Sequence, residues 1–251
     1  MAVTTQELIF ASVFIVGMTG VFFYFRQRAT RGAVPKIRML EGLKGIEEAV
    51  KKCAETGETV AVYSSGNLTG AGIDQSVAGL GILSYAVRLI ARNNCRMVFP
   101  YTGDDILAIP VYNEVIRAAY AAEGKINSFD PKAMRMISRT YADAMAPWAN
   151  TIVSENCGAT MLFGDIRYFN PVCVDLKGIS IQATGQMNTV HVCALLCDYS
   201  LIGDEMFAAG AMISEDRVVL SSLAVQDIGK FIIAGVSVIG AVLWAWGIKV
   251  V

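Results

Sequence analysis

The chain has 251 residues, 54% of them hydrophobic and 17% charged, with 21 Lys and Arg against 22 Asp and Glu. Soluble domains are roughly 45–50% apolar and about 25% charged, so this composition excludes disorder and points to apolar segments outside a folded core. A formal net charge of -1 excludes a global attraction to nucleic acid, and a single histidine leaves little material for a metal cluster.

The first element is an uncharged run from Leu8 to Phe25. As a helix rising about 1.5 Å per residue it covers roughly 27 Å, close to a bilayer core, which predicts an N-terminal transmembrane helix over residues 1–26. A cleaved signal peptide fits poorly, because Met1–Glu7 has no basic residue and no small-x-small site follows the run. Arg26, Arg28, Arg31, Lys36 and Arg38 crowd the far side of the run, so the positive-inside rule predicts that residues 27–230 are cytoplasmic and both termini outside the cell membrane. In that reducing compartment Cys53, Cys95, Cys157, Cys173, Cys193 and Cys197 are expected as free thiols.

Residues 27–230 contain no repeat or low-complexity linker and read as one α/β domain. Leu43, Ile46, Val50 and Cys53 form one stripe of a helix over Leu40–Thr56, which Gly57 stops. Thr59–Ser64 is a nearly continuous apolar, β-branched strand of the kind buried on both faces. A helix over Asp74–Asn93 and a strand over Arg96–Tyr101 follow. Pro110 suits the first turn of a helix ending at Gly124, and Asp130-Pro131 predicts another that runs to about Ala146. Strands are expected at Thr160–Phe163, Ile179–Ala183 and Tyr199–Ile202, then a helix over Asp204–Ser214, with Asp216–Lys230 continuing into the next apolar run. Strands alternating with helices imply a Rossmann-like, mainly parallel sheet of about five strands flanked by helices.

Phe231–Ile248 is the second uncharged run, with Trp244 and Trp246 near its far end, where indoles favour the headgroup layer. It predicts a C-terminal transmembrane helix over residues 231–251, with membrane lipid as partner. A buried core helix is the alternative, disfavoured by apolar residues on every face.

The chemical motifs are sparse. Gly70-Ala71-Gly72 lacks the third glycine of a dinucleotide fingerprint, and Asp74, read as an N-cap, would repel phosphate. No P-loop occurs. His191, Cys193 and Cys197, with Cys157 or Cys173, could supply thiolate zinc ligands, but the spacing is not a paired C-x-x-C and free cysteines are readily buried, so neither metal nor cofactor is expected. The carboxylate pairs Asp104-Asp105, Asp204-Glu205 and Glu215-Asp216 precede helices and suit the helix dipole, and no catalytic residue is assigned.

In an open parallel sheet, ligands bind outside the carboxyl ends of the strands. The loops expected there nominate Ser65, Gly66, Asn67, Thr102, Asp104, Gly164, Thr184, Gly185, Asn188, Thr189 and His191 as contacts for a small-molecule ligand, against the alternative of ordinary caps and turns.

The stretches Ala183–His191 and Cys197–Ala211, with Gln226-Asp227-Ile228-Gly229-Lys230, resemble an uncharacterised family of prokaryotic membrane-anchored proteins carrying a domain of unknown function. The likeness extends through Ala78–Asn93 and Pro110–Gly124. It implies the membrane-anchored architecture, carries no reaction, and does not fix Cys193 or Cys197. The expectation is therefore a non-enzymatic, membrane-anchored scaffold that self-associates through its α/β domain into a homo-oligomer. The rival is a nucleotide- or anion-like ligand-binding or hydrolytic domain that uses the strand-end loops. A transporter would need an intramembrane charge that the two runs lack.

Overall fold

The computed structural model describes residues 5–31, 40–65, 68, 72–166, 178–214, 225, 227–235, 237–238 and 240. The chain divides into two compact units, Arg38–Ser214 and the pair of terminal segments Met1–Ile37 and Glu215–Val251.

In the terminal unit, helix α1 spans Thr5–Thr30 and contains the whole uncharged run. Residues 227–235 are helical through Gly229. That glycine is buried, and a Cβ added to it would lie 2.8 Å from the Met18 methyl, so the two segments approach closely there. The end of the second run and most of 215–226 lie outside the described residues.

The larger unit begins with α2 (Glu41–Thr56), whose buried stripe contains Leu43, Ile46, Val50 and Cys53, and Gly57 stops it at φ 73°. Then come β1 (Thr59–Ser64), α3 (Ile73–Arg92), β2 (Arg96–Thr102), α4 (Ile109–Ala122), β3 (Met134–Ser138) and α5 (Met145–Ser154). The chain continues through β4 (Cys157–Phe163), β5 (Ile179–Thr184), α6 (Val190–Leu196), β6 (Tyr199–Ile202) and α7 (Asp204–Ser214). The sheet has six strands in the order β3-β2-β1-β4-β5-β6, and every neighbouring pair is parallel. This is the doubly wound Rossmann order, and its direction reverses between β1 and β4.

One face carries the larger core. Val60, Val62, Phe99, Met161 and Ile181 meet apolar residues of α2, α3, α4 and α7 there. On the other face Ala61, Tyr63, Val98 and Leu162 pack on Trp148 and Ile152 of α5. With both faces covered, β1 and β4 are buried at every position, which is why they read as apolar runs rather than alternating ones.

By length and hydropathy, one helix among the described residues could cross a membrane, and it is α3. Its apolar girth has a different partner, since α3 packs against β1, β4, α2, α4 and α7 inside the domain.

The expected helix from Asp130 to about Ala146 does not form. Asp130 does cap, its Oδ1 accepting the Lys132 N–H at 2.9 Å, but only a single 3-10 turn over Pro131–Ala133 follows. Met134–Ser138 is then drawn into the sheet as edge strand β3, and helix α5 starts only at Met145. The sheet therefore has six strands. Asp74 is not the N-cap of α3 either: Gly72 takes that place at φ 99°, leaving Asp74 in the first turn.

Candidate functional site

The topology places the reversal crevice at the carboxyl ends of β1 and β4, beside β5. Ser65 follows β1 and its N–H donates to the Phe163 carbonyl at 2.9 Å. Gly164 follows β4 and its N–H donates to the Ala183 carbonyl of β5, also at 2.9 Å. Backbone bonds thus lash the three strand ends together.

Gly164 is at φ 101°, and a Cβ there would lie 3.2 Å from the Ser65 Cβ. A Cβ on Gly79 of α3 would in turn meet the Gly164 Cα at 3.2 Å. Glycines at both positions let α3 descend onto the strand end, the close helix–strand approach that dinucleotide-binding sheets obtain from their third fingerprint glycine.

Several polar groups at this edge are paired with one another. Asp165, buried, accepts a hydrogen bond from the Gln186 amide, and Gly185 N–H donates to Gln75 Oε1 of α3 at 3.1 Å. Gln186 N–H reaches Thr184 Oγ1 at 3.2 Å, and the Thr189 hydroxyl returns to the Gln186 carbonyl at 3.2 Å. None of Ser65, Gln75, Asp165, Thr184 and Gln186 is basic, and Gly72 sits against the Asp165 carboxylate. A phosphate at the α3 N-terminus would meet that carboxylate and Asp74 among the described residues.

A second polar cluster lies at the ends of β2 and β3. Asp105 is fully buried and accepts from Thr102 N–H at 2.8 Å, from the Thr102 hydroxyl at 2.9 Å, from the Tyr63 phenol at 3.2 Å and from the Tyr141 phenol. Burial pushes the Asp105 carboxyl above the ordinary carboxylate range, outweighing these donors. Burial and the neighbouring carboxylate also raise the Tyr63 phenol well above its usual value. Asp104 Oδ2 accepts the Tyr141 N–H at 2.9 Å, binding the loop after β3 to the same cluster.

The structure therefore brings together Ser65, Gly164, Thr184 and Gly185 of the expected site, with Thr189 one bond away through Gln186. Thr102 and Asp104 belong to the Asp105 cluster instead. Asn188 and His191 are exposed at the start of α6, apart from the strand-end hydrogen bonds described above, and Gly66 and Asn67 lie outside the described residues. Sequence reasoning placed the Gly164-Asp165 loop at this edge but nominated only Gly164 from it, and it missed Gln75, Tyr63, Asp105 and Tyr141; the aspartate one glycine after the apolar strand Leu162-Phe163 was the available signal for Asp165.

The cysteines fall into separate places. Cys193 Sγ donates to the Gln182 carbonyl at 3.7 Å, and Cys197 Sγ to Gln182 Oε1 at 3.5 Å, with the Cys193 thiol lowering the Cys197 thiol. Burial raises Cys53 to about 11 and Cys157 to about 12, each as the largest cause. Cys173 lies outside the described residues.

The chain matches the family described as a domain of unknown function, DUF6754, over residues 1–251, and it belongs to that family. No curated protein and no solved structure matches it. Class and family thus meet in a Rossmann-type α/β protein whose family has no assigned activity.

Proposed function

We propose that this chain is a two-pass membrane-anchored, non-enzymatic scaffold whose cytoplasmic α/β domain self-associates into a homo-oligomer. Helix α1 is 26 residues long, about 39 Å at 1.5 Å per residue, and its Val16, Phe23 and Tyr24 are exposed. Phe231, Ile233 and Val238 of the second segment are exposed in the same way. Lipid supplies the partner such side chains lack, and the basic residues after α1 favour the cytoplasmic side for the domain.

The observation that carries self-association is a set of exposed apolar side chains at one end of the domain. Helices α3 and α4 pack side by side, and near their starts Val77 is 57% and Leu107 80% exposed, with Ile73, Ile106 and Val111 also exposed. Large apolar side chains exposed near the starts of two adjacent helices suit an interaction surface. Light scattering of the full chain in mild detergent tests it: a multiple of the 27.0 kDa chain mass is expected, falling to one chain in Val77→Asp/Leu107→Asp. A single-chain mass at every concentration rejects the scaffold.

The strand order favours a second reading, a small ligand in the β1/β4 crevice. The Asp165 carboxylate and the neighbouring amides and hydroxyls suit a ligand bearing hydroxyl or ammonium groups better than a phosphate. Thermal shifts with adenosine and ATP separate these: adenosine should stabilise the chain more, and Asp165→Asn should abolish the difference.

A further inference from the structure

We infer that a cleft at the amino ends of β1, β2 and β3, the opposite end of the sheet from the reversal crevice, binds a small organic anion with an aromatic or branched apolar body. The cleft has a volume of about 580 Å³, within the range of roughly 300–1,000 Å³ typical of small-molecule sites. Its apolar lining comes from Ala91, Met97, Tyr120, Phe129 and Ala133, and the Tyr120 and Phe129 rings lie 5.6 Å apart at 49°. A free inorganic ion would leave this lining unused; an apolar body covers it.

Three cations, Arg96, Lys132 and Arg135, line the cleft against two carboxylates, Asp130 and Glu155. Arg135 Nη1 is held by Glu155 Oε1 at 2.8 Å, and Asp130 Oδ1 is occupied by the Lys132 backbone N–H at 2.9 Å. Arg96 gives one long bond, Nη2 to the Gly57 carbonyl at 3.4 Å, which leaves most of its fork of donors unspent. The Lys132 ammonium has no ion-pair partner among the described residues. Two cations beside an aromatic lining select a carboxylate or similar anion and oppose an ammonium of the same shape. Thr59, in the wall of the same cleft, is 2% exposed, and its hydroxyl has no partner among the described residues.

The test uses the full chain in lipid nanodiscs, with empty nanodiscs as blank, and two probes of one shape and opposite charge, phenylacetate and phenethylammonium. Saturation-transfer NMR should show phenylacetate binding at least about tenfold more tightly, and Arg96→Glu/Lys132→Glu should weaken it by about tenfold or more. Both positions are exposed, so the substitutions leave the core untouched. A measurement on the unmodified chain stands beside the variant: Cys95 lines the cleft, so phenylacetate should slow its alkylation by iodoacetamide while leaving Cys197 unaffected. Absence of phenylacetate binding, equal binding of the two probes, an unchanged affinity in the double variant, or unslowed Cys95 alkylation each overturns the inference.

Discussion

The phenol of Tyr63, in the central strand β1, donates to the carboxylate of Asp105, in the turn after β2, at 3.2 Å, and neither side chain reaches solvent. That bond, with those from Thr102 and Tyr141, ties the loops after β2 and β3 to the middle of the sheet. Asp105→Ala should cost about 3 kcal/mol or more, because it strands two phenols, a hydroxyl and a backbone N–H at once. Chemical unfolding of the full chain measures it, and a cost near zero would mean the cluster contributes no stability.

The same carboxylate gives a pH dependence of defined sign. Burial raises its folded pKa above the unfolded value, so the folded state holds the proton more tightly than the unfolded chain. The stabilising contribution is complete below the ordinary carboxylate range and is lost as pH rises through the folded pKa. The stability advantage of the wild type over Asp105→Asn should therefore shrink as pH rises through that window. Unfolding midpoints taken from acid to neutral pH check this; a widening gap contradicts it.

Gly164 and Gly124 separate conformation from crowding. Both have positive φ, 101° and 69°, but a Cβ on Gly124 meets nothing within 4 Å, whereas one on Gly164 presses on Ser65. Gly124→Ala should cost about 1 kcal/mol from backbone strain alone, and Gly164→Ala should cost more, about 2–3 kcal/mol. Equal costs would show that the three strand ends are not locked together.

Most of the sheet was legible because burial wrote itself into the sequence. Thr59–Ser64 is covered on both faces and reads as an unbroken apolar strand, and Asp204–Ser214 begins at an acidic first turn and coincides with α7. Edge strand β3 was not legible: Met134-Arg135-Met136 is largely exposed, and the cap and proline before it satisfy helix-start chemistry that the chain uses for a single turn. The candidate site was legible in its backbone and illegible in its partners. Strand-end glycines mark a close approach, whereas the Asp165–Gln186 and Gly185–Gln75 bonds join residues 21 and 110 positions apart, a separation no local pattern encodes.

Thiol accessibility tests the cytoplasmic placement of the domain. Cys95 and Cys197 are half-buried, while Cys53, Cys157 and Cys193 are buried. A membrane-impermeant maleimide should label Cys95 and Cys197 in inverted vesicles and spare both in intact cells. The buried three should react only after unfolding, since burial shields all of them and, in the folded chain, also keeps Cys53 and Cys157 protonated. Labelling of Cys95 in intact cells would invert the topology.

The two apolar helical segments, with side chains such as Val16 and Phe231 facing outward, make anchoring the premise on which scaffold and topology both rest. Alkaline carbonate washing of membranes that contain the full chain measures it directly. The account predicts that the chain sediments with the bilayer and is released only by detergent; recovery in the carbonate supernatant would contradict it.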